Sequence, residues 1–170
     1  MEKDIDRLET ITERFSKIGS SPILEKTNII EATQNSFDYL KTRSSRLIEF
    51  SIDVPKGYIP VMLNSQLYSW TIENLVKNAI DAMRGKGKLH IQIKEEQKWA
   101  HIFIKDTGKG LDKNKFKLVF EPGHTTKKRG WGLGLSLAKR IIEGYHHGRI
   151  KVEESEINKG TTFKISLRKV

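Results

Sequence analysis

Residues 70–83 of the chain read WTIENLVKNAIDAM, and no other stretch of the sequence is as informative about the fold. At about 100° per residue, the aliphatic residues of this stretch fall on one side of a helix. These apolar residues are Ile72, Leu75, Val76, Ala79 and Met83. The polar residues Asn74, Asn78 and Asp81 fall together on the opposite side. The pattern therefore predicts a long helix with one buried face and one face that presents two amides and a carboxylate.

The polar face of this helix has two interpretations. Amide and carboxylate oxygens suit Mg²⁺, which prefers oxygen donors and usually keeps waters and substrate phosphates as its other ligands. A solvated helix face can carry the same residues, although asparagine is a poor helix former and two of them one turn apart call for an explanation. The spacing alone leaves both interpretations open.

The segments around the long helix alternate between helical and strand patterns. Upstream, the sequence predicts a helix from Asn28 to about Arg43 and a strand from Leu47 to Val54, and Asn64 can cap the long helix. Downstream, strands are predicted over 89–93, 100–104, 150–152 and 162–167, a short helix over 112–119, a loop over 121–130 and a helix over 133–143. Adjacent hairpin-like strands among helices favour the α+β class over a doubly wound parallel sheet.

Composition restricts the classes of protein to which the chain can belong. The 170 residues contain no cysteine, which excludes disulfides, a thiol nucleophile and thiolate metal sites. No apolar run approaches the roughly 20 residues that span a bilayer, and the charged N-terminus does not resemble a signal peptide. There are 31 Lys and Arg against 21 Asp and Glu, giving a formal net charge of +10. This excess indicates an anionic partner without identifying it.

The first twenty residues predict a helix of their own. Apolar residues recur at spacings of three and four, namely Ile5, Leu8, Ile11, Phe15 and Ile18. The segment from Gly19 to Pro22 then ends the helix. So narrow an apolar stripe favours packing against a partner helix or a second copy, and folding back on the same chain is the alternative.

Two glycine-rich segments follow the long helix. Residues 106–111 read DTGKGL directly after a strand, so they form either a tight turn or a loop that lets the backbone approach a flat ligand. In the second case the Asp106 carboxylate can accept a hydrogen bond from an exocyclic amine, which adenine has and guanine lacks at that position. Residues 130–135 read GWGLGL at the start of a helix, where backbone N–H groups can bind phosphate. The spacing fits neither the dinucleotide-binding motif nor the P-loop.

Taken in order, these motifs resemble the ATP-binding catalytic domain of bacterial sensor histidine kinases, in the superfamily of DNA gyrase B, Hsp90 and MutL. Residues 73–79 (ENLVKNA) resemble the N box, and residues 106–111 resemble the first glycine box. Residues 120–127 (FEPGHTTK), 130–139 (GWGLGLSLAK) and 160–163 (GTTF) resemble the F box with its lid, the second glycine box and the terminal GTxF motif. The resemblance covers about residues 27–170 and implies a two-layer sandwich, with a mixed, mostly antiparallel sheet against three helices.

The resemblance also implies roles for individual residues. Asn78 would coordinate Mg²⁺ on the phosphates of ATP, with Asn74 in support, and Asp106 would bind the adenine amino group. The other residues implied in ATP binding or catalysis are Asp81, Gly108, Gly110, Lys127, Gly130, Gly132, Leu133, Gly134, Leu135 and Thr161. Residues 112–129 would form a lid that closes over ATP.

At two positions this chain has a residue that differs from the one found in other members of the superfamily. ATP-hydrolysing members of the superfamily have a glutamate four residues before the Mg²⁺-binding asparagine. Asn74 occupies that position here, which favours transfer to a protein acceptor over attack by water. Many sensor kinases have a basic residue where this chain has Asp81, so Lys127 or Arg129 would have to meet the phosphates.

The sequence lacks a phosphoacceptor histidine in the expected setting. The five histidines are His90, His101, His124, His146 and His147, and none of them lies on a dimerising helix pair. Residues 1–20 match the end of a dimerisation helix, so the acceptor is expected before Met1. The expected partners are that dimerisation domain, a response regulator receiver domain and a second copy in the full-length parent, with no nucleic acid and no direct membrane contact. The expected location is the cytoplasm, also for a parent anchored in the membrane.

Two other functions remain open from the sequence. The first is an ATPase or serine kinase of the same superfamily. The second is a regulatory domain whose nucleotide-driven lid movement switches a protein contact without any phosphoryl transfer. A nucleic-acid binder is disfavoured, because the basic residues form no stripe interleaved with aromatic residues along one element.

Overall fold

The structure, a computed structural model, describes residues 22–123 and 134–170. Its strands are β1 (Glu25–Asn28), β2 (Ile48–Asp53), β3 (Pro60–Leu63), β4 (Gly87–Glu95), β5 (Trp99–Asp106), β6 (Arg149–Glu156) and β7 (Gly160–Arg168). Its helices are α1 (Ile29–Arg43), α2 (Ser65–Ala82) and α3 (Gly134–Lys139), and α3 continues as a π-helical segment over Arg140–Tyr145. The predicted helix over 1–20 and the site residues Lys127, Gly130, Gly132 and Leu133 lie outside the described residues.

Five of the strands form one mixed sheet in the order β2-β4-β5-β7-β6. β2 pairs with β4 in parallel, and the other three pairings are antiparallel. The strands β1 and β3 form a separate two-stranded ladder. An isolated bridge joins Val61 of β3 to Lys169, the residue that follows β7. The strand β5 ends at Asp106, and its antiparallel neighbour β7 begins at Gly160. The first glycine motif and the GTTF motif therefore lie at the same end of these strands.

Two asparagine side chains fix where the first two helices begin. Asn28 Oδ1 accepts a hydrogen bond from the Ile30 N–H at 3.2 Å at the start of α1. Asn64 Oδ1 accepts one from the Leu67 N–H at 3.0 Å at the start of α2. Each cap satisfies a backbone donor that has no partner within the helix. The predicted cap at Asn64 is confirmed, and so is the first helix to within one residue, although Asn28 is its cap and not its first residue.

The core lies between the helices and one face of the sheet. The predicted apolar face of α2 is buried, from Ile72 to Met83, and packs against alternate residues of the strands such as Ile91 and Ile104. A second, smaller cluster joins α2 to α3 and the π-helical segment through Leu67, Trp70, Leu137 and Ile141. Burying one such side chain contributes roughly 1.5–3 kcal/mol, so these two clusters fix the position of α2 and with it the polar face.

The predicted α+β class and two-layer arrangement are confirmed. One local prediction is wrong, and two short strands were not predicted. The short helix predicted over 112–119 is wrong, because this segment contains two 3₁₀ turns, Lys113–Lys115 and Leu118–Phe120. The strands β1 and β3 were not predicted, since each has only four residues. No helix within the described residues is long and apolar enough to cross a membrane.

Candidate functional site

Asp106 is the most deeply buried carboxylate of the described residues, with 3% of its surface exposed. Its Oδ1 atom accepts hydrogen bonds from the Gly108 N–H at 2.8 Å and from the Thr161 N–H at 3.3 Å. Burial raises the pKa of Asp106 above its usual value of 3.8, and the two backbone donors offset part of that rise. Two acceptor positions of the carboxylate are used in this way, and an ionised carboxylate offers about four.

A cavity of about 480 Å³ opens beside Asp106, on the side of the sheet that faces the helices. Its apolar wall contains Val119, Leu135 and Phe163. Its polar wall contains the side chains of Asn78 and Asp81 from α2. Cavities of this size, apolar with a few polar groups, are typical of small-molecule sites.

The loop after β5 is held on two sides by backbone contacts. The Lys109 N–H donates to the Ala82 carbonyl at the end of α2 at 3.0 Å, and the Lys109 carbonyl accepts from the Asn158 N–H at 2.8 Å. Gly110 has a φ of +74°, and a Cβ at this position would collide with the backbone carbonyl of Glu156. A glycine is therefore required where the loop meets the turn between β6 and β7.

Ser155 connects this loop to the start of β7, and no motif in the sequence indicated this role. Its Oγ atom accepts a hydrogen bond from the Leu111 N–H at 2.7 Å, and it lies 2.7 Å from Thr161 Oγ1 and 3.0 Å from the Gly160 carbonyl. Serine is common on exposed strands, and β6 was predicted to end at Val152. Only the bulge between Val152 and Glu154 brings Ser155 to the loop.

The long helix contributes its polar face as the sequence predicts, but its three polar residues lie in different surroundings. Asn78 and Asp81 line the cavity, whereas Asn74 lies one turn earlier and packs against Gly134. A Cβ built on Gly134 would lie 2.6 Å from Asn74 Oδ1. The Nδ2 atom of Asn74 is buried and has no hydrogen-bond partner among the described residues.

The cavity therefore brings together six of the residues predicted to bind ATP. They are Asn78, Asp81, Asp106, Gly110, Leu135 and Thr161. Gly108 contacts this group through its hydrogen bond to Asp106. Cavity-lining residues that the motifs did not identify include Lys109, Lys115, Ile157 and Asn158.

The four described histidines lie away from the cavity. His90 Nδ1 lies 2.7 Å from Ser51 Oγ, and His101 lies between Ser166 and Glu96. His146 Nε2 accepts from the Asn64 N–H at 3.0 Å, and its Nδ1 lies 2.8 Å from the Ile141 carbonyl. Burial lowers the pKa of His146, so the neutral ring with its proton on Nδ1 satisfies both contacts. His147 is exposed.

The residues present fit a hard cation only if a bound anion supplies some of its ligands. Within residues 22–123 and 134–170, no group of three or more His, Asp or Glu side chains is close enough together to hold a metal ion. Asn78 and Asp81 line the same cavity from one helix face. Mg²⁺ is commonly held in this way, by one or two protein oxygens, waters and substrate phosphates.

Comparison with known protein families gives a match over most of the chain. The model of the family described as "Histidine kinase-, DNA gyrase B-, and HSP90-like ATPase" matches residues 65–170. This range contains α2, the cavity and all of the glycine motifs.

Curated proteins similar to this chain include sporulation kinases of Bacillus subtilis (strain 168). Sporulation kinase E is 32% identical over 168 residues, which cover 96% of this chain and 22% of that protein. Sporulation kinase B is 41% identical over 175 residues, which cover 96% of this chain and 39% of that protein. The chain thus spans well under half the length of these relatives.

Solved structures with a similar fold include that of the histidine kinase ThkA. The nucleotide-free catalytic domain of ThkA superimposes with a TM-score of 0.75 at 25% identity, covering 86% of this chain and 97% of that one. ThkA in complex with the response regulator TrrA superimposes with a TM-score of 0.76 at 25% identity, covering 99% of this chain and 49% of that one.

Proposed function

Since the chain belongs to the histidine kinase-, DNA gyrase B- and HSP90-like ATPase family, we propose that it binds Mg·ATP as the catalytic domain of a sensor histidine kinase. The γ-phosphate would go to a histidine on a dimerisation domain. The observation that carries this proposal is the buried Asp106 in one cavity with Asn78 and Asp81. The Asp106 carboxylate can meet an amine at one side, while the amide of Asn78 and the carboxylate of Asp81 can hold a cation at the other, and this matches a ligand with an amine at one end and Mg²⁺-bound phosphates at the other.

The base would bind at the Asp106 side of the cavity. The adenine amino group can donate to the carboxylate, which retains acceptor positions beyond those used by Gly108 and Thr161. The ring would pack against the apolar wall that contains Leu135 and Phe163. Guanine presents a carbonyl in place of the amine, and two acceptors would then face each other, so the site favours ATP over GTP.

The triphosphate would extend towards Asn78 and Asp81. A bound Mg²⁺ would neutralise phosphate charge there, with Asn78 as the first candidate ligand and Asn74 in support one turn away. Asp81 has the same sign of charge as the phosphates and would need a cation between them. Lys109 and Lys115 line the same cavity and supply positive charge beside it, in addition to that expected from Lys127.

Phosphoryl transfer to a protein is better supported than hydrolysis. The residue four positions before Asn78 is Asn74, whose amide cannot accept a proton from water. The neighbouring carboxylate, Glu73, forms an ion pair with Lys77 at 3.0 Å and does not line the cavity. Among the described residues, neither Asn74 nor Glu73 is therefore placed to act as a base for attack by water, and positioning accounts for most of the catalysis in such transfers.

The partners and the location follow from this proposed role. Residues 1–20 would form the end of a dimerisation helix, residues 27–170 the ATP-binding domain, and two copies would associate through the dimerisation domain of the parent. The phosphate would then pass to a response regulator receiver domain, the class of partner bound to ThkA. All of this chemistry takes place in the cytoplasm.

The test of the proposal is a titration followed by a transfer assay. ATP and GTP are titrated with and without Mg²⁺, and radiolabelled ATP is then supplied with the chain and a separately expressed dimerisation domain. We expect ATP to bind more tightly than GTP, Mg²⁺ to strengthen binding, and label to appear on the acceptor histidine. Vigorous phosphate release without any acceptor would favour the ATPase, and ATP binding with no labelled acceptor would favour the regulatory domain.

A further inference from the structure

The sheet has a second face, which points away from the helices and the cavity. Side chains alternate along β5, so Ile102 and Ile104 are buried in the core while Phe103 and Lys105 lie on the opposite side. We call this opposite side the outer sheet face. It is represented by Lys94, Trp99, Phe103, Lys105, Arg149 and Lys164.

Aromatic rings on the outer sheet face lie directly beneath cationic groups. The Nζ atoms of Lys94 and Lys164 both lie 5.5 Å from the centroid of the Phe103 ring. The guanidinium of Arg149 lies 5.2 Å from the Trp99 ring. These contacts hold long, flexible side chains in place above the sheet, so less conformational freedom is lost when a ligand binds them.

The positive charge in the middle of this face is only partly neutralised by the neighbouring strands. Among the described residues, no carboxylate forms an ion pair with Lys94, Lys105 or Lys164. On the flanking strands, Glu153 pairs with Lys151 at 3.1 Å, Glu49 pairs with Lys88 at 3.9 Å, and Asp53 accepts a hydrogen bond from Gln92 at 3.1 Å. The pKa of Glu153 is lowered by Lys151 and, to a lesser degree, by Lys164. The cations over Phe103 and beside it therefore form a row across β4, β5 and β7 that keeps an excess of positive charge.

We propose that the outer sheet face is a docking surface for an acidic polypeptide segment. Glutamate and aspartate side chains would pair with the ammonium groups of Lys94, Lys105 and Lys164. Charge complementarity is the basis of this choice, since these three ammonium groups are donors only and positive charge is in excess around them.

Two other anionic partners fit the same face less well. Single-stranded nucleic acid is held by bases stacked on aromatic rings, and here the Phe103 and Trp99 rings are already covered by cations. A membrane surface is bound by apolar side chains that project into the lipid, and both rings are half-buried beneath longer basic side chains.

The docking surface and the cavity use opposite sides of the same strands. Asp106 and Thr161 face the cavity, whereas their neighbours Lys105 and Thr162 belong to the outer side. A segment bound on the outer sheet face and a nucleotide in the cavity would therefore not compete. Docking can be present or absent whether or not the proposed kinase activity is correct.

The test compares two variants that lose the same charge. The face variant carries Lys94→Gln, Lys105→Gln and Lys164→Gln, and the control variant carries Lys26→Gln, Lys56→Gln and Lys86→Gln at exposed positions elsewhere. Binding of a fluorescein-labelled polyglutamate peptide is followed by fluorescence anisotropy at physiological salt. We expect the face variant to bind about tenfold more weakly and the control variant to differ by less than about twofold from the unmodified chain. Equal losses in the two variants would overturn the proposal.

Two further measurements separate the alternative partners. The first measurement replaces the peptide with a labelled oligothymidylate or with vesicles containing phosphatidylserine. If either ligand bound more tightly than the peptide and lost binding in the face variant, this would contradict an acidic polypeptide as the partner. The variant Phe103→Leu removes the ring and keeps an apolar residue. We expect it to weaken peptide binding by about twofold, because the lysines lose their support. A loss in Phe103→Leu larger than in the face variant would indicate aromatic stacking and would also contradict the proposal.

Discussion

The backbone of Gly134 lies directly against the side-chain amide of Asn74. A Cβ on Gly134 would be 2.6 Å from Oδ1 and 2.9 Å from Nδ2 of Asn74. That Nδ2 atom is buried, and no part of the chain that the structure describes offers it a hydrogen bond. The first residue of α3 is thereby placed against the middle of α2. The glycine at this position therefore serves helix packing, in addition to any phosphate contact of its own backbone.

The variant Gly134→Ala tests this contact. The added methyl group would force the Asn74 amide or the start of α3 to move, so we expect a loss of about 1–3 kcal/mol in the free energy of unfolding. ATP affinity should fall several-fold as well, since α3 and α2 both contribute to the cavity. Urea denaturation and calorimetric titration measure the two effects.

The control for this variant is Gly144→Ala in the π-helical segment. The nearest atom to a Cβ on Gly144 is Arg140 Cγ at 3.8 Å, which is ordinary contact distance. We expect Gly144→Ala to be neutral or to stabilise the chain by about 0.5 kcal/mol, because alanine restricts the unfolded chain. If both alanine variants lost equal stability, the effect would come from glycine replacement in general and not from Asn74.

The variant Asp106→Asn tests the proposed recognition of adenine. Loss of a charge-assisted hydrogen bond should weaken ATP binding by roughly 10–100-fold at neutral pH and reduce the preference for ATP over GTP. The backbone donors of Gly108 and Thr161 can still bond to the amide oxygen, so the loop should keep its geometry. Unchanged ATP affinity and unchanged discrimination against GTP would exclude Asp106 as the adenine acceptor.

The pH dependence of Asp106 follows from the direction of its pKa shift. Its folded-state pKa is above 3.8, so as the pH falls the carboxylate takes up a proton earlier than an ordinary aspartate does. ATP affinity should therefore decline as the pH falls through this raised pKa, and the decline should be absent in Asp106→Asn. The free energy of unfolding depends on pH in the opposite direction, because burial favours the protonated form of the Asp106 carboxyl group over the charged form. Its contribution to the free energy of unfolding decreases as the pH rises from 3.8 through the folded-state pKa.

The periodicity of residues 70–83 was sufficient to predict the core side and the polar side of α2. Side-chain direction along a helix depends on local geometry, which the sequence encodes directly. The sequence could not separate the roles of Asn74 and Asn78, since both lie on the same predicted face. Their difference arises from Gly134, which lies far along the chain and packs against only one of them.

The outer sheet face was missed for a related reason. No single element has basic and aromatic residues in a continuous stripe, and on that ground the sequence disfavoured a nucleic-acid binder and gave no indication of this face. Phe103 on β5 meets Lys94 from β4 and Lys164 from β7 only after the strands are paired in register. A pattern that runs across strands depends on the order and register of the sheet, and these cannot be read from one segment.

The variant Gly110→Ala tests how the loop after β5 is held against the turn between β6 and β7. Gly110 has a φ of +74°, and a Cβ there would meet the Glu156 carbonyl, so we expect a loss of at least about 2 kcal/mol in the free energy of unfolding and weaker ATP binding. The matched control is Gly85→Ala, with a φ of +78° and none of the described atoms within 4 Å of the added Cβ. A loss in Gly110→Ala no larger than in Gly85→Ala would show that the φ angle matters and the contact with Glu156 does not.

His146 joins the end of the π-helical segment to the start of α2. Its neutral ring accepts from the Asn64 N–H and donates from Nδ1 to the Ile141 carbonyl. His146→Leu would leave both backbone groups without this partner and should cost about 1–3 kcal/mol in the free energy of unfolding at neutral pH.

The cost of His146→Leu should depend on pH in a defined direction. Burial lowers the folded-state pKa of His146 below 6.5, so its contribution to stability is complete above pH 6.5. The contribution is lost as the pH falls from there through the folded-state pKa, because the unfolded chain binds the proton more readily. The difference in unfolding free energy between the original chain and His146→Leu should therefore shrink on acidification.

The neighbouring exposed residue provides the control. His147→Asn keeps a residue that tolerates the φ of +56° at this position and should show neither the loss at neutral pH nor its decline in acid. A cost of His146→Leu that stayed constant with pH would mean that the leucine acts through packing and not through the lost hydrogen bonds.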